Sequence, residues 1–284
     1  MERRLQLLAY AKINLGLKIL GRREDGYHLI ETLYQRIDLH DIVTLTLTDS
    51  EDKYIGPRLT ESWDDNLCWK AVRKFREIWK GEWGVNIELD KRIPLGAGLG
   101  GGSSDAATVL KGLAQLTGIP LNHPQLRDLG VCLGADVNFF LNDLYAAYAQ
   151  GIGEVLYPSQ GLRRDLWVII IVPPYPISTA WAYREIDKLL TKKNVYINID
   201  FCEMFSEPEK ARGWEGGNDF EPLVFRHYPE LEAVKRRLKE EGAIYSGLTG
   251  SGSGVLGIFD DEVTARVVVS QWQPPWRCFL CRPF

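Results

Sequence analysis

The chain has 284 residues, 45% of them hydrophobic and 25% charged, and a formal net charge of −4 at pH 7. That composition excludes a fibre or a disordered chain, and the acidic balance argues against a nucleic-acid partner, which ordinarily meets a basic stripe. No apolar run is long enough for a membrane helix and the short charged N-terminus has no signal-peptide core, so no membrane partner and a cytoplasmic location are expected.

Residues 5–20 open the chain as a strand. Leu5, Leu7, Ala9, Ala11, Ile13, Leu15, Leu17 and Ile19 fall on one face, and Lys12 and Asn14 fall together on the other. By pattern alone, that second face is a solvated one. Residues 42–48 and 85–90 alternate in the same way and predict half-buried strands. Between them, 64–80 predicts a helix capped by Asp64, Asp65 or Asn66.

A glycine run follows, "PLGAGLGGGSSDAATVL" at 94–110, with five glycines in the seven positions 96–102. Helices are predicted at 103–116 and 123–133, Gly134 stopping the second, and short strands at 136–141 and 144–149. A polar break at 158–166 is a candidate linker. Beyond it come a strand at 166–172, a helix at 178–190, a poorly patterned stretch at 191–227 and a helix at 229–241. Strands at 243–248, 255–259 and 277–281 close the chain, with a Gly/Ser turn at 250–254 and a helix at 261–271. This alternation predicts an α+β domain. The five cysteines are scattered, which argues against a disulfide framework; Cys278 and Cys281 have redox or zinc spacing but sit in an apolar strand with no second ligand pair.

Gly96, Gly98 and Gly101 match the dinucleotide fingerprint G-x-G-x-x-G, which makes an NAD(P)-dependent oxidoreductase an alternative. The preceding strand alternates, however, and no second strand ending in an acid follows about twenty residues on. The run still suits an anion. Glycine lets backbone N–H groups approach a ligand, and a helix beginning near Ser103 adds unpaired donors and a positive dipole end. The competing reading is a tight turn with Ser103 as N-cap. The second loop, "LTGSGSG" at 248–254, reads equally as a hairpin turn or as the lining of a ligand cleft.

Three blocks, "AYAKINLGLKILGRREDGYHLIETLYQRIDLHD" (9–41), the glycine run and "LTGSGSG", stand in an order that resembles the GHMP small-molecule kinases, and "LGADVNFF", "GIGEVL" and "GNDFEP" add to it. The resemblance implies the two-domain α+β GHMP kinase fold: an N-terminal mixed α/β domain over 1–160 with the ATP loop, and a smaller C-terminal α+β domain over 161–284. It also implies phosphorylation of an alcohol by ATP with Mg2+, and a small-molecule substrate, a cytidine diphosphate-linked methylerythritol; mevalonate- or homoserine-type kinases are the nearest alternatives.

On this resemblance Lys12 is catalytic and Asp136 is the base that accepts the hydroxyl proton. Pro94, Gly96, Gly98, Leu99, Gly100, Gly101, Gly102, Ser103 and Ser104 bind ATP, with Asn66 near the adenine. Asn14, Thr179, Gly250 and Ser251 contact substrate, and Tyr27, His28 and Tyr183 take the cytosine, Tyr183 as an aromatic opposite Tyr27/His28. No acidic cluster stands out, so no protein metal site is expected and Mg2+ is left to phosphates and water. Asn138 departs from the family, which often has Pro there.

Overall fold

The structure, a computed structural model, describes residues 3–49, 51–81, 83–188 and 217–284. It divides into two compact units, each discontinuous in sequence. One holds the residues up to Ala11, Leu39–Leu95 and Gly100–Leu144; the other holds Lys12–Asp38, Gly96–Leu99 and the chain from Tyr145 onward.

In the first unit, the C-terminal part of β2 (His28–Thr48) pairs antiparallel with β4 (Gly84–Asp90), and β4 pairs parallel with the short β3 (Lys53–Ile55). Val85, Ile87 and Leu89 of β4 are buried, as their alternation requires. Four helices complete the unit: α1 (Leu67–Ile78), α2 (Gly101–Thr117), α3 (Pro124–Leu133) and α4 (Ala135–Leu141). Helix α1 buries Cys68, Ala71, Val72 and Phe75 along one face, and the Asn66 side chain caps it by accepting from Cys68 N–H at 2.9 Å. Helix α2 is buried almost all round. At Gly112 it lies so close to the sheet that a Cβ would meet Leu45 Cδ1 at 2.5 Å.

Two expectations change here. Helix α2 begins at Gly101, two residues before the predicted start. Residues 136–141, expected as a strand, form α4 with Val137, Phe139 and Phe140 buried. A short apolar run carries no period long enough to separate the two states.

In the second unit, Thr32–Gln35 of β2 pairs antiparallel with β5 (Ala146–Gln150), and β5 with β6 (Val155–Pro158). A second sheet, antiparallel throughout, runs in the order β10 (Arg277–Cys281), β7 (Trp167–Val172), β9 (Val255–Phe259), β8 (Tyr245–Leu248). Every residue of β7 is buried, which its unbroken apolar run demands. Around it pack α5 (Thr179–Ile186), α6 (Glu221–His227), α7 (Pro229–Glu240) and α8 (Glu262–Ser270), whose buried faces form a core with Ile169, Ile171, Phe220, Leu231, Leu248 and Phe259. Strand β1 (Arg3–Arg22) pairs with β2.

The predicted helix at 178–190 is observed to Ile186, and residues 189–190 lie outside the described residues, as does 191–216 of the stretch without pattern. Cys278 and Cys281 pair with Ile171 and Val168 in β10, three residues apart on a strand and therefore on opposite faces. Burial pushes the Cys278 thiol up to about 12. The packed-strand reading of that pair holds. Cys68, Cys132 and Cys278 form no disulfide among the described residues, and Cys202 lies outside them. Among the described residues no helix is long and apolar enough to cross a membrane.

Candidate active site

In the second unit, Lys12 and Asn14 are not on a solvated face. Both are buried, at 4% and 1% exposure, because β1 is covered on both sides from Ala11 to Leu17. A buried ammonium is costly unless its protons are used. Lys12 Nζ donates to Asn14 Oδ1 at 2.6 Å and lies 5.0 Å from the centre of the Tyr34 ring. Asn14 Nδ2 donates to Thr32 Oγ1 at 2.9 Å, and the Thr32 hydroxyl donates to Gly16 O at 2.6 Å. The arrangement holds the Lys12 Nζ in a fixed position inside the strand layer.

The front of the glycine run and the second glycine loop hold each other. Gly96, Gly98 and Gly100 have φ of 62°, 74° and 68°, and Gly250 and Gly252 have φ of 56° and 91°. Ser253 N–H donates to Gly96 O at 3.1 Å and Gly254 N–H to Ala97 O at 3.2 Å. Thr249 Oγ1 accepts from Asn14 N–H at 3.0 Å and donates to Gly98 O at 3.3 Å. A Cβ on Gly98 would lie 2.1 Å from Thr249 O. Lys12 N–H donates to Leu99 O at 3.0 Å, which ties the same run to β1. Asn218 Nδ2 donates to Leu248 O and Gly250 O, at 2.9 and 2.7 Å, and fixes the start of the second loop. Thr179 and Ser251 share a hydrogen bond between hydroxyls at 3.0 Å.

In the first unit the run ends by starting α2. Gly100, in the left-handed region, is the N-cap and offers no side chain; Ser103 is therefore a third helical residue and not the cap. The first intrahelical bond runs from Ser104 N–H to Gly100 O at 2.9 Å. The amides of Gly101, Gly102 and Ser103 have no carbonyl a turn earlier, and the positive end of the helix dipole lies there. Pro94 and Ser104 are buried, Ser103 half-buried.

Beside this helix start lies a charged cluster. Lys91 Nζ bridges Asp41 Oδ2 at 2.5 Å and Asp105 Oδ2 at 2.6 Å, and Asp41 Oδ1 accepts from the backbone N–H groups of Arg92 and Ile93. Burial opposes the Lys91 charge, but the Asp105 and Asp41 carboxylates outweigh it and hold that lysine above its usual range. Burial, aided by Asp41 and opposed by Lys91, pushes the Asp105 carboxyl up to about 7. One ammonium against two carboxylates leaves a net negative charge in a dry site, and a proton on Asp105 removes it. Asp105 Oδ1 and Asn66 Nδ2 are buried without a hydrogen-bond partner among the described residues. Asp136 stands in the first turn of α4, half-buried, where the helix N-terminus favours a carboxylate. Asn138, two residues on, is buried, and its carbonyl accepts from Asn142 Nδ2 at 2.8 Å.

Of the residues expected at the base, His28 and Tyr183 meet in the second unit. The His28 and Tyr183 rings stack with centroids 4.8 Å apart and planes 27° apart, and the Tyr183 ring stands edge-on to Phe220 at 4.9 Å. Tyr27 is 60% exposed. The ring stacked on Tyr183 is thus His28's. His28 Nε2 lies 2.5 Å from Asp187 Oδ1, and Asp187 Oδ2 lies 3.2 Å from Arg22 Nη1.

The GHMP kinases N terminal domain matches residues 66–151, and the GHMP kinases C terminal domain matches residues 204–277. The chain is 38% identical over 289 residues to a 4-diphosphocytidyl-2-C-methyl-D-erythritol kinase of Chlorobium phaeobacteroides (strain BS1), covering 99% of this chain and 98% of that one. The chain belongs to the 4-diphosphocytidyl-2-C-methyl-D-erythritol kinase family of GHMP kinases. A relative of the same name in Geobacter sp. (strain M21) is 38% identical, covering 95% and 94% of the two chains. A crystal structure of a 4-(cytidine 5'-diphospho)-2C-methyl-D-erythritol kinase superposes with a TM-score of 0.80 at 34% identity, over 98% of each chain. The homoserine kinase of Cytophaga hutchinsonii shares the GHMP fold, with a TM-score of 0.71 at 17% identity, over 99% of this chain and 95% of that one.

The oxidoreductase alternative gives way to this family, and the sheet agrees. The strand leading into the glycine run, β4, runs antiparallel to β2 and parallel only to the three-residue β3, unlike the central strand of a parallel sheet that a dinucleotide fingerprint requires. Sequence reasoning missed Thr32, Lys91, Asp41, Asp105, Thr249, Asn218 and Asp187. "GNDFEP" was a visible signal for Asn218. Asp41 closes the quoted block "RIDLHD" and Asp105 follows the two serines, but neither spacing shows that Lys91 joins them.

Proposed function

We propose that this GHMP kinase transfers the γ-phosphoryl group of ATP, with Mg2+, to the 2-hydroxyl of 4-diphosphocytidyl-2-C-methyl-D-erythritol, giving the 2-phosphate and ADP. The observation that carries the chemistry is the buried Lys12–Asn14 pair: a core strand has no use for an ammonium, and this one is held by an amide oxygen at 2.6 Å. The names of the full-length relatives support the substrate.

The hydroxyl oxygen attacks the γ-phosphorus, the bond from that phosphorus to the ADP oxygen breaks, and the hydroxyl proton passes to Asp136. Lys12 offsets the charge that develops on the transferring group, with Asn14 holding it and contacting substrate. The first amides of α2, with Gly100, Gly101, Gly102, Ser103 and Ser104, face the ATP phosphates; Pro94, Gly96, Gly98 and Leu99 set the backbone that leads there. Mg2+, when bound, neutralises part of the phosphate charge. The unpaired buried Asn66 Nδ2 and Asp105 Oδ1 fit a nucleotide that supplies an acceptor and a donor. Tyr27, His28 and Tyr183 take the cytosine, and Thr179, Gly250 and Ser251 contact the substrate. We place the boundary between the two family domains near residue 160, within the gap between the matched segments 66–151 and 204–277. The reading includes a cytoplasmic location and a small-molecule partner, with no nucleic acid.

The test is ADP release with 4-diphosphocytidyl-2-C-methyl-D-erythritol, mevalonate and homoserine, for the wild type and Asp136→Ala. Turnover is expected with the cytidyl substrate alone, and Asp136→Ala is expected to lower kcat by about 100- to 10,000-fold. Turnover with another alcohol instead overturns the substrate assignment and leaves the phosphate cradle standing.

A further inference from the structure

Asp187 is the C-cap of α5. A carboxylate at that end opposes the helix dipole, so the helix itself gives no reason for an acid there. Its contacts give one. Oδ1 lies 2.5 Å from His28 Nε2, across 159 residues of sequence, and the His28 side chain is 6% exposed. The second contact, Arg22 at 3.2 Å, involves a side chain 58% exposed and counts for little. The His28 bond is therefore the one that matters. It fixes the orientation of the imidazole, with Nε2–H donating to the carboxylate. It also holds the ring within 27° of parallel to Tyr183, which in turn makes a T-shaped contact with Phe220.

We propose that Asp187 is a positioning residue for nucleobase binding, acting through His28. By locking the imidazole against Tyr183 it fixes the Tyr27–His28 segment that receives the base. The inference rests on the substrate reading above and extends it to a residue with no assigned role.

The experiment is steady-state kinetics of the wild type, Asp187→Ala and Asp187→Asn with the cytidyl substrate and with ATP, together with 15N NMR of the histidine tautomers. The wild type should show His28 protonated on Nε2. In Asp187→Ala the KM for the cytidyl substrate should rise about 10- to 100-fold, the loss of one charge-assisted hydrogen bond. Its kcat and KM for ATP should stay within about threefold, since no group that meets the phosphates is touched. Asp187→Asn, whose amide oxygen still accepts from Nε2–H, should recover most of the affinity and the tautomer. An unchanged KM for the cytidyl substrate in Asp187→Ala overturns the inference while leaving the substrate reading intact. So does a loss spread equally over kcat and both KM values, which marks a structural role. Failure of the wild type itself to turn over the cytidyl substrate overturns the substrate reading, and this inference with it.

Discussion

At Gly98 a methyl group has nowhere to go, because Thr249 O would lie 2.1 Å from it. At Gly102, four residues on in the same run, the methyl meets only Leu67 Cδ1, at 3.6 Å. One is glycine because the second glycine loop presses on it and its φ is 74°; the other stands in the first turn of a helix with room to spare. The glycine run is thus two things in sequence. Its front is packed against the protein's own backbone, whereas in the helix start behind it Gly101 is closed in by the Ile93 and Lys91 side chains and Gly102 has room. A motif that spells both with one letter conceals the difference.

The comparison can be broken at either end. Gly98→Ala should cost about 3 kcal/mol or more, through a backbone clash and a left-handed φ together, read as a fall in thermal midpoint. An unmoved midpoint would show that the second loop does not press on the first as described. Thr249→Val removes the bond from Asn14 N–H and the bond to Gly98 O, and should cost about 1–3 kcal/mol in chemical denaturation. A cost no larger than that of a surface substitution would mean that the front of the run is held some other way. Gly102→Ala should leave stability within about 1 kcal/mol and raise the KM for ATP about tenfold, by placing a methyl group before the phosphates. A normal KM for ATP in that variant would remove the back of the run from the phosphate site.

The smallest expected effect is proton-linked and belongs to the back alone. Burial raises the folded Asp105 carboxyl to about 7, so the folded chain keeps a proton that the unfolded chain has lost. That contribution is fully present below the unfolded value near 4 and is lost as pH rises through about 7. Between pH 6.5 and 8 the wild type should lose about 0.8 kcal/mol relative to Asp105→Asn. Parallel pH profiles for the two proteins would show that Asp105 holds no such proton.

What the sequence made legible was whatever lies along one element. The alternation of β1, the cap at Asn66, the buried strand Trp167–Val172 and the glycine run itself could all be read in order. What stayed hidden depends on a second layer. The polar face of β1 has the pattern of an exposed face, and only the cover over it buries Lys12 and Asn14. Thr249 reaches Gly98 across 151 residues, and Asp187 reaches His28 across 159. Helix α4 was hidden for a local reason: seven residues with two adjacent phenylalanines carry neither period convincingly.

The line from Lys12 through Asn14 and Thr32 to Gly16 O runs in one direction only. The ammonium gives a proton to the amide oxygen, the amide nitrogen gives one to the hydroxyl oxygen, and the hydroxyl gives its own to a backbone carbonyl. Each group is read by its neighbour as donor or acceptor, so equal shape is no guarantee of equal meaning. Asn14→Asp keeps every atom position but sets oxygen against oxygen at Thr32. Relieving that by turning the hydroxyl strips Gly16 O of its partner. A substitution table scored on size and polarity would pass this change as mild, yet here it reverses the second link and breaks the third.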